Sequence, residues 1–257
     1  MGESKTNAIM TKKATIHVTT KAGATVVFKR NSTTYSTQTA NASGVADLTV
    51  MYADWSGTWT VDVSWAVSGN GNAVGSSGSI TISAATTYNV SVSLRLWLVK
   101  DGNFVSGVSH TYTSDYSASA SFDDEGSYVN LHQGATRPDH WDANTGYLGS
   151  AITFDGYWKS LVFETRERGY GATGASPIVG LTNGSGSFPT FQYYAQLRGA
   201  GEYSGYNSKH TSTINVSSVS GSYKVAARVA MYDYYNWAQA LVYGDGDLNI
   251  YNAYLDS

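Results

Sequence analysis

The segment LHQGATRPDHWD, residues 131–142, holds the densest group of side chains in this sequence that could carry out chemistry. Imidazole, carboxylate, guanidinium and indole groups stand close together in it, at His132, Arg137, Asp139, His140, Trp141 and Asp142. The two histidines meet only if the loop folds back, and neither the His-x-x-x-His nor the His-x-Glu pattern of zinc sites is present. The segment is therefore compatible with a solvated loop, with a contact site for a ligand or partner, or with a metal or catalytic site.

The segment FETRERG, residues 163–169, alternates acidic and basic side chains. In a strand this alternation places Glu164, Arg166 and Arg168 on one face and Glu167 on the other. A glycosidase needs two carboxylates about 5–10 Å apart across a cleft, which opposite faces of one strand do not provide. The pattern instead predicts ion pairs between neighbouring strands.

Two further acidic segments could supply oxygen ligands to calcium. FDDEG and GDGD both group carboxylates, but neither has the alternating acidic positions of an EF-hand loop. Asp-Gly steps are typical of tight hairpin turns, so GDGD is first interpreted as a turn, with Asp245 and Asp247 kept as calcium candidates.

Catalytic motifs are missing from the sequence. It lacks a Gly-x-Ser-x-Gly elbow and a phosphate-binding loop followed by Lys. We therefore predict a protein that is not an enzyme and needs no cofactor.

Aromatic side chains are the strongest functional signal, because the chain has 20 Tyr and 7 Trp. Tyr and Trp rings stack on sugars and supply rigid contact area at protein interfaces. The candidates for ligand or partner contact lie outside the predicted strand alternation or among glycines: Tyr234, Tyr235, Trp237, Trp141, Tyr147, Tyr170, Tyr203 and Tyr206. The alternative is that these rings close the ends of a hydrophobic core.

The charge and hydropathy of the chain exclude several kinds of partner. Its 257 residues carry a net charge of −3, and no basic run is longer than Lys12-Lys13, which disfavours nucleic acid. No stretch approaches the ~18 consecutive apolar residues of a transmembrane helix, and the N-terminus lacks the apolar core of a signal peptide. Cysteine is absent, so disulfides are excluded. These features predict no membrane partner and a protein made in the cytoplasm, or one whose signal has been removed.

Short alternating segments predict an all-β fold throughout. In GTWTVDVSWAV, residues 57–67, every second residue is apolar, and KAGA (21–24) and NASG (41–44) are predicted turns between strands. SITISA (79–84) is also predicted as a strand. Residues 12–95 are thus predicted to form an Ig-like β-sandwich after a tail of residues 1–11.

Residues 96–257 are predicted to form a larger, jelly-roll-like β-sandwich. Its predicted strands include residues 110–122, 128–133, 157–169, 189–199 and 222–232. The segment GATRPDHWDANTGYLGS (134–150) is predicted as a long loop, and DYYNW (233–237) as the junction between two strands.

The segments KAGATVVF, TANASGVADLTV, GTWTVDVSW and TTYNVSVSL resemble, in this order, carboxypeptidase-regulatory-like and bacterial Ig-like modules that recur in phage structural proteins. The resemblance covers about 80 residues and implies a spacer or attachment role without catalytic residues. The later part, with SSVSGSY before a long strand, is similar to carbohydrate-binding and galactose-binding-like jelly rolls.

These resemblances imply a phage virion structural protein that is a head fibre, decoration or tail-tip component. Its implied partners are other virion subunits, including copies of itself, and a glycan of the host surface. Its implied location is the virion, assembled in the bacterial cytoplasm. The alternatives are a carbohydrate-binding module of a bacterial surface protein and a polysaccharide-degrading enzyme.

Overall fold

The computed structural model describes residues 12–115, 120–134, 141–170, 177–197, 206–232, 234–235, 241–242 and 245–257. The side chains at positions 141, 169–170, 231–232, 234–235, 241–242 and 245 are not among the described features. The prediction of an all-β fold is confirmed, because the described elements are strands apart from one short 3-10 helix. Within the described residues, no helix is long and apolar enough to span a bilayer.

The chain divides into two compact units. The first contains the residues up to Ala66 together with Asn72–Arg95, and the second contains Val67–Gly71 together with Leu96–Ser257.

The first unit has seven strands and the 3-10 helix: β1 (Lys13–Thr19), β2 (Thr25–Arg30), β3 (Thr33–Thr39), β4 (Val45–Met51), the helix (Tyr52–Asp54), β5 (Trp59–Ala66), β6 (Asn72–Ser76) and β7 (Thr87–Ser91). One sheet has the order β4-β1-β7, and a second contains β6-β5-β2-β3. Alternation buries Trp59, Val61 and Val63 of β5, as the sequence pattern predicts.

The prediction of a strand at residues 79–84 is wrong. Ile80 forms a single bridge with Trp59, with N···O distances of 3.0 and 2.8 Å. The ladder does not continue, and further along the backbone N–H groups of Ser83 and Ala84 donate to the hydroxyl of Tyr88 at 2.8 and 2.9 Å.

The remaining strands lie in the second unit, except that the first residue of β8 belongs to the first unit. They are β8 (Arg95–Lys100), β9 (Asn103–Phe104), β10 (His110–Ser114), β11 (Ser121–Asp124), β12 (Val129–Gln133), β13 (Trp141–Asp155), β14 (Ser160–Tyr170), β15 (Ile178–Thr182), β16 (Tyr193–Gln196), β17 (His210–Asn215), β18 (Ser220–Tyr232), β19 (Tyr234–Tyr235), β20 (Leu241–Val242) and β21 (Asp245–Asp256). One sheet has the order β10-β13-β18-β15-β16. The other contains β11-β12-β21 with β14 paired to both β21 and β17, and β8 beside β21.

The largest difference from the sequence prediction is β13, which occupies most of the predicted loop 134–150. Its polar residues Asp142, Asn144 and Thr145 are each fully buried, so the apolar alternation of a strand is missing from the sequence. Asn144 Nδ2 donates to the carbonyl oxygens of Ser121 at 3.0 Å and His132 at 2.7 Å, which satisfies part of that polarity inside the fold.

Two other boundaries also differ from prediction. Residues 110–122, predicted as one strand, contain β10 and the start of β11. GDGD, predicted as a hairpin turn, instead enters β21 from Asp245 onward, where its residues pair with β14.

Candidate functional site

The outer face of β12, β21 and β14 carries two rows of polar side chains. His132, Asp247 and Arg168 are direct neighbours in the register of the three strands. Asn249 lies two residues further along β21 and is opposite Asn130 on β12. Since Leu131 and Leu248 of the opposite parity are fully buried, these polar residues lie on the other face of the sheet. On that face Asp247 and Asn249 are buried, whereas His132, Arg168 and Asn130 are partly exposed.

Asp247 is the centre of this network. Its Oδ1 lies 2.9 Å from His132 Nδ1 and accepts a hydrogen bond from Asn130 Nδ2 at 3.3 Å. Its Oδ2 accepts Arg168 Nε at 2.8 Å and the hydroxyl of Tyr206 at 3.2 Å. Burial raises the pKa of Asp247, but the hydrogen bond from His132 and the charge of Arg168 outweigh it and lower the pKa to about 2. Asp247 is therefore a carboxylate at neutral pH.

Tyr206 lies over this network and is held from two sides. Its ring centre is 4.6 Å from the guanidinium carbon of Arg166 and 5.2 Å from that of Arg168, in cation–π contact. Burial and the negative charge of Asp247 raise the pKa of the Tyr206 hydroxyl, which keeps its proton available for the bond to Asp247. The ring is thus backed by two cations and fixed at its hydroxyl, while Tyr206 remains partly exposed.

The residue after Tyr206 fastens this segment to β14. The backbone N–H of Asn207 donates to Glu167 O at 3.0 Å, and Asn207 Oδ1 accepts the N–H of Glu167 at 2.9 Å. Arg166 Nε donates to Asn207 O at 3.0 Å. Asn207 therefore holds Tyr206 in position through the backbone of β14.

A β-bulge extends the same face along β21. Glu164 and Thr165 are consecutive on β14, but their partners on β21 are Asn252 and Ile250, so Tyr251 is an extra residue. The bulge leaves Tyr251 and Asn252 both partly exposed, where strict alternation would bury one of them.

Glu164 anchors this second part of the face. Lys209 Nζ lies 2.8 Å from its Oε1, and Asn252 Nδ2 donates to its Oε2 at 2.5 Å. The hydrogen bond from Lys209 lowers the pKa of Glu164. Lys209 also lies 4.5 Å from the ring centre of Tyr251, whose edge meets Tyr128 at 6.0 Å.

The last aromatic pair on this face is Trp97 and Tyr254, with ring centres 4.6 Å apart. Tyr254 pairs with Val162 in the register of β14 and β21, so it shares the face of Glu164. The outer face thus presents Tyr206, Tyr251 with Tyr128, and Tyr254 with Trp97 in succession along β21, between planar polar side chains. We name these strands and rings the β21 surface.

The arrangement does not resemble a metal site. Among the described residues, no three His, Asp or Glu side chains are close enough together to hold an ion. Asp247, a calcium candidate from sequence, directs both oxygens at His132, Arg168, Asn130 and Tyr206. The backbone of Asp245, the other candidate, lies in β21, and its side chain is outside the description.

The other candidate residues are distributed over the unit. Tyr147 is only 4% exposed, its hydroxyl donates to Gly186 O at 2.7 Å, and its ring packs with Phe191, so it lies in the core. Only backbone positions are described for Trp141 in β13, Tyr170 in β14, and Tyr234 and Tyr235, which pair with β20. Trp237 and Tyr203 lie outside the described residues.

The polar segment 131–142 is described only in part. His132 lies on the outer face beside Asp247, whereas Asp142 on β13 is fully buried. Arg137, Asp139 and His140 lie outside the described residues.

Several residues of the β21 surface were not predicted from sequence: Tyr128, Asn130, Asn249, Tyr251, Asn252, Trp97 and Tyr254. A signal for them exists in YVNLHQ and DLNIYN, where Tyr, Asn, His or Asp alternates with Val, Leu or Ile. Polar and aromatic residues that alternate with apolar ones indicate a strand with one face outside the core.

No family model and no curated protein matches the chain. Among solved structures, a variant of the carbohydrate-binding module CBM29-2 complexed with cellulohexaose has a TM-score of 0.34 and 11% identity, covering 64% of this chain and 91% of that one. CBM29_1, a family 29 carbohydrate-binding module from Piromyces equi, has a TM-score of 0.31 and 10% identity, covering 64% of this chain and 90% of that one. Similarity at this level does not identify a ligand for this chain.

Proposed function

We propose that the protein binds a polysaccharide through the β21 surface, with Tyr206 as the ring on which a sugar stacks. The observation that carries this proposal is the fixed position of Tyr206. Two guanidinium groups lie against the ring, and its hydroxyl is bound to Asp247. A ring held in place before binding loses little conformational entropy when a sugar stacks on it.

The polar groups beside Tyr206 suit the hydroxyls of a sugar. Asn130 and Arg166 are planar polar groups and are partly exposed. Asn252 is also partly exposed, but its amide is bound within the fold, to Glu164 Oε2 and to the N–H of Asp101. Sugar-binding surfaces combine apolar ring contact with a small number of oriented polar groups. The rings of Tyr251 and Tyr254 continue this combination along the strand.

Binding is favoured over hydrolysis by the ionisation of the carboxylates. A glycosidase needs one carboxylic acid that keeps its proton near neutral pH. Glu164 and Asp247 of the β21 surface instead have lowered pKa values, because cations lie against both. A lowered pKa does not suit the role of that acid, which supports binding as the function of this surface.

Affinity electrophoresis tests this function. The intact chain is run in gels containing mixed-linkage β-glucan, xylan or galactomannan, and we expect retardation by at least one of them. The Tyr206→Ala variant should lose a factor of about ten or more in affinity, because one stacking ring is worth about 1.4 kcal/mol or more.

Tyr194→Ala is the matched control. Tyr194 is 54% exposed on β16, in the other sheet of the same unit, so its removal should leave retardation unchanged. Equal melting temperatures of the variants establish that both are folded. The proposal is wrong if no polysaccharide retards the chain, or if Tyr206→Ala is retarded as strongly as the unmodified protein.

This function corresponds to the carbohydrate-binding alternative of the sequence analysis. Assembly into a virion with other subunits stays a separate prediction that rests on the resemblance of residues 12–95. Electron microscopy of a purified phage particle tests this prediction by locating the chain. Absence of the chain from the particles would contradict it.

A further inference from the structure

The first unit contains a groove of about 680 Å³ that has no part in the β21 surface. The 3-10 helix and the turn after it contribute Tyr52, Trp55 and Ser56 to its lining. The segment before β7 contributes Thr81 and Ser83, and Lys12 lies just before β1. The volume is within the range of about 300–1,000 Å³ that is usual for small-molecule sites.

Hydrogen bonds fix both parts of the lining. Tyr52 N donates to Lys12 O at 3.0 Å, and the indole Nε1 of Trp55 donates to Val50 O at 3.2 Å. On the other segment, Ser83 N donates to the hydroxyl of Tyr88 at 2.8 Å. The groove is therefore formed before any ligand arrives, which reduces the entropic cost of binding.

The lining combines an exposed ring with hydroxyl groups. Tyr52 is 41% exposed and meets Trp55 edge to face, with ring centres 5.1 Å apart and an interplanar angle of 63°. That geometry leaves much of the Tyr52 ring accessible for stacking. Ser56, Thr81 and Ser83 are all exposed and carry hydroxyls that can bind a polyhydroxylated molecule.

The charge of the groove is positive. Lys12 is the one charged residue among the described residues that line it. The nearby carboxylate of Asp54 is engaged elsewhere, by Arg30 Nη1 at 2.9 Å and by the hydroxyl of Tyr35 at 3.0 Å. An anionic group on the ligand would therefore meet Lys12 without an opposing carboxylate in the lining.

We propose that this groove binds a short acidic saccharide, with a sugar ring on Tyr52 and a carboxylate beside Lys12. The site lies in a different unit from Tyr206 and does not depend on the function proposed there. It would give the protein two saccharide sites of different charge preference.

Calorimetric titration of the intact chain with trigalacturonate, and with its fully methyl-esterified form as a neutral ligand of nearly the same size, tests the proposal. We expect trigalacturonate to bind more tightly than the ester. Lys12→Gln should weaken trigalacturonate about two- to fivefold, the value of one exposed ion pair, and leave the ester unchanged. Tyr52→Ala should weaken both ligands about tenfold.

Three controls separate this site from its surroundings. Lys13→Gln removes the same charge from the adjacent, exposed residue and should have no effect. Thr81→Trp fills the groove from an exposed position and should abolish binding even if Tyr52→Ala proves unstable. Tyr206→Ala should leave trigalacturonate binding intact, so failure at one site is distinguishable from failure at the other.

Three results would each overturn the proposal: absence of binding, equal binding of the acid and the ester, or equal effects of Lys12→Gln and Lys13→Gln.

Discussion

At the scale of single residues, Asp247 determines how the β21 surface responds to acid. Its pKa of about 2 lies below the ordinary value of 3.8, so the folded state holds the carboxylate in its charged form. This contribution to the free energy of unfolding, up to about 2 kcal/mol, is complete above about pH 4. It is lost as the pH falls from about 4 to about 2.

We predict that Asp247→Asn lowers the free energy of unfolding by about 2 kcal/mol at neutral pH and flattens its decline below about pH 4. Arg168 and His132 would then lose the carboxylate that they share. Urea denaturation at a series of pH values measures both effects. Asp123→Asn, at an exposed position of the adjacent β11, is the control and should leave the profile unchanged. Identical profiles for Asp247→Asn and the unmodified chain would contradict the assignment.

Sequence alone could nominate Tyr206 but could not distinguish it from Tyr147. Each follows a glycine in a segment predicted to be a loop. The difference arises from pairing: Tyr147 faces Ala226 across β13 and β18 and is covered, whereas Tyr206 lies on Arg166 and Arg168. Such contacts join residues far apart in the chain, and no local pattern encodes them.

At the scale of elements, the turns of the first unit could be predicted well. KAGA and NASG are turns, and Gly23 and Gly44 have φ values of +77° and +75°, which favour glycine. The two positions differ in their surroundings. A Cβ on Gly44 would lie 2.3 Å from the carbonyl oxygen of Thr20, whereas a Cβ on Gly23 would meet nothing within 4 Å.

Substitution of Gly23 and of Gly44 distinguishes the cost of a strained backbone from the cost of a steric clash. We predict that Gly23→Ala lowers the free energy of unfolding by about 1 kcal/mol, the cost of a left-handed backbone for alanine. Gly44→Ala should lower it by about 3 kcal/mol or more, because the backbone at Thr20 must also move. Thermal and chemical denaturation measure both values. Equal effects would show that the contact with Thr20 relaxes at little cost.

β13 could not be predicted, for a physical reason that also applies to other polar cores. Asp142, Asn144 and Thr145 are buried because the fold supplies partners such as the Ser187 carbonyl, 2.7 Å from Thr145 Oγ1. The sequence shows the polar residues but not these partners. A method based on apolar alternation therefore assigns the segment to a loop.

At the scale of the whole molecule, the sequence places a boundary between residues 95 and 96. Contacts divide the chain at the same position but also assign Val67–Gly71 to the second unit. That short segment belongs there because Gly69 O accepts the N–H groups of Ser109 and Ser150, at 3.5 and 3.4 Å. Composition and turn patterns contain no information about such an exchange.

We predict that scanning calorimetry of the intact chain resolves two transitions, one for each unit. Each unit has its own buried core, so Gly44→Ala should lower the temperature of one transition and Asp247→Asn that of the other. The variant with both substitutions should show lower temperatures for both transitions. A single transition that either substitution shifts would show instead that the two units unfold together.

The bulge at Tyr251 has a consequence for how this chain can vary among relatives. The extra residue shifts the alternation of β21 by one position. Before the bulge, the odd-numbered Asp247 and Asn249 lie on the face of the β21 surface. After it, the even-numbered Asn252 and Tyr254 lie on that same face. Loss of one residue there would turn Tyr254 inward and expose Ala253 and Leu255, which are fully buried. Replacement of Tyr251 would alter one ring, whereas its deletion would exchange the two faces of the strand. Relatives that keep this surface should therefore conserve the number of residues between Asp247 and Tyr254 more strictly than their identities.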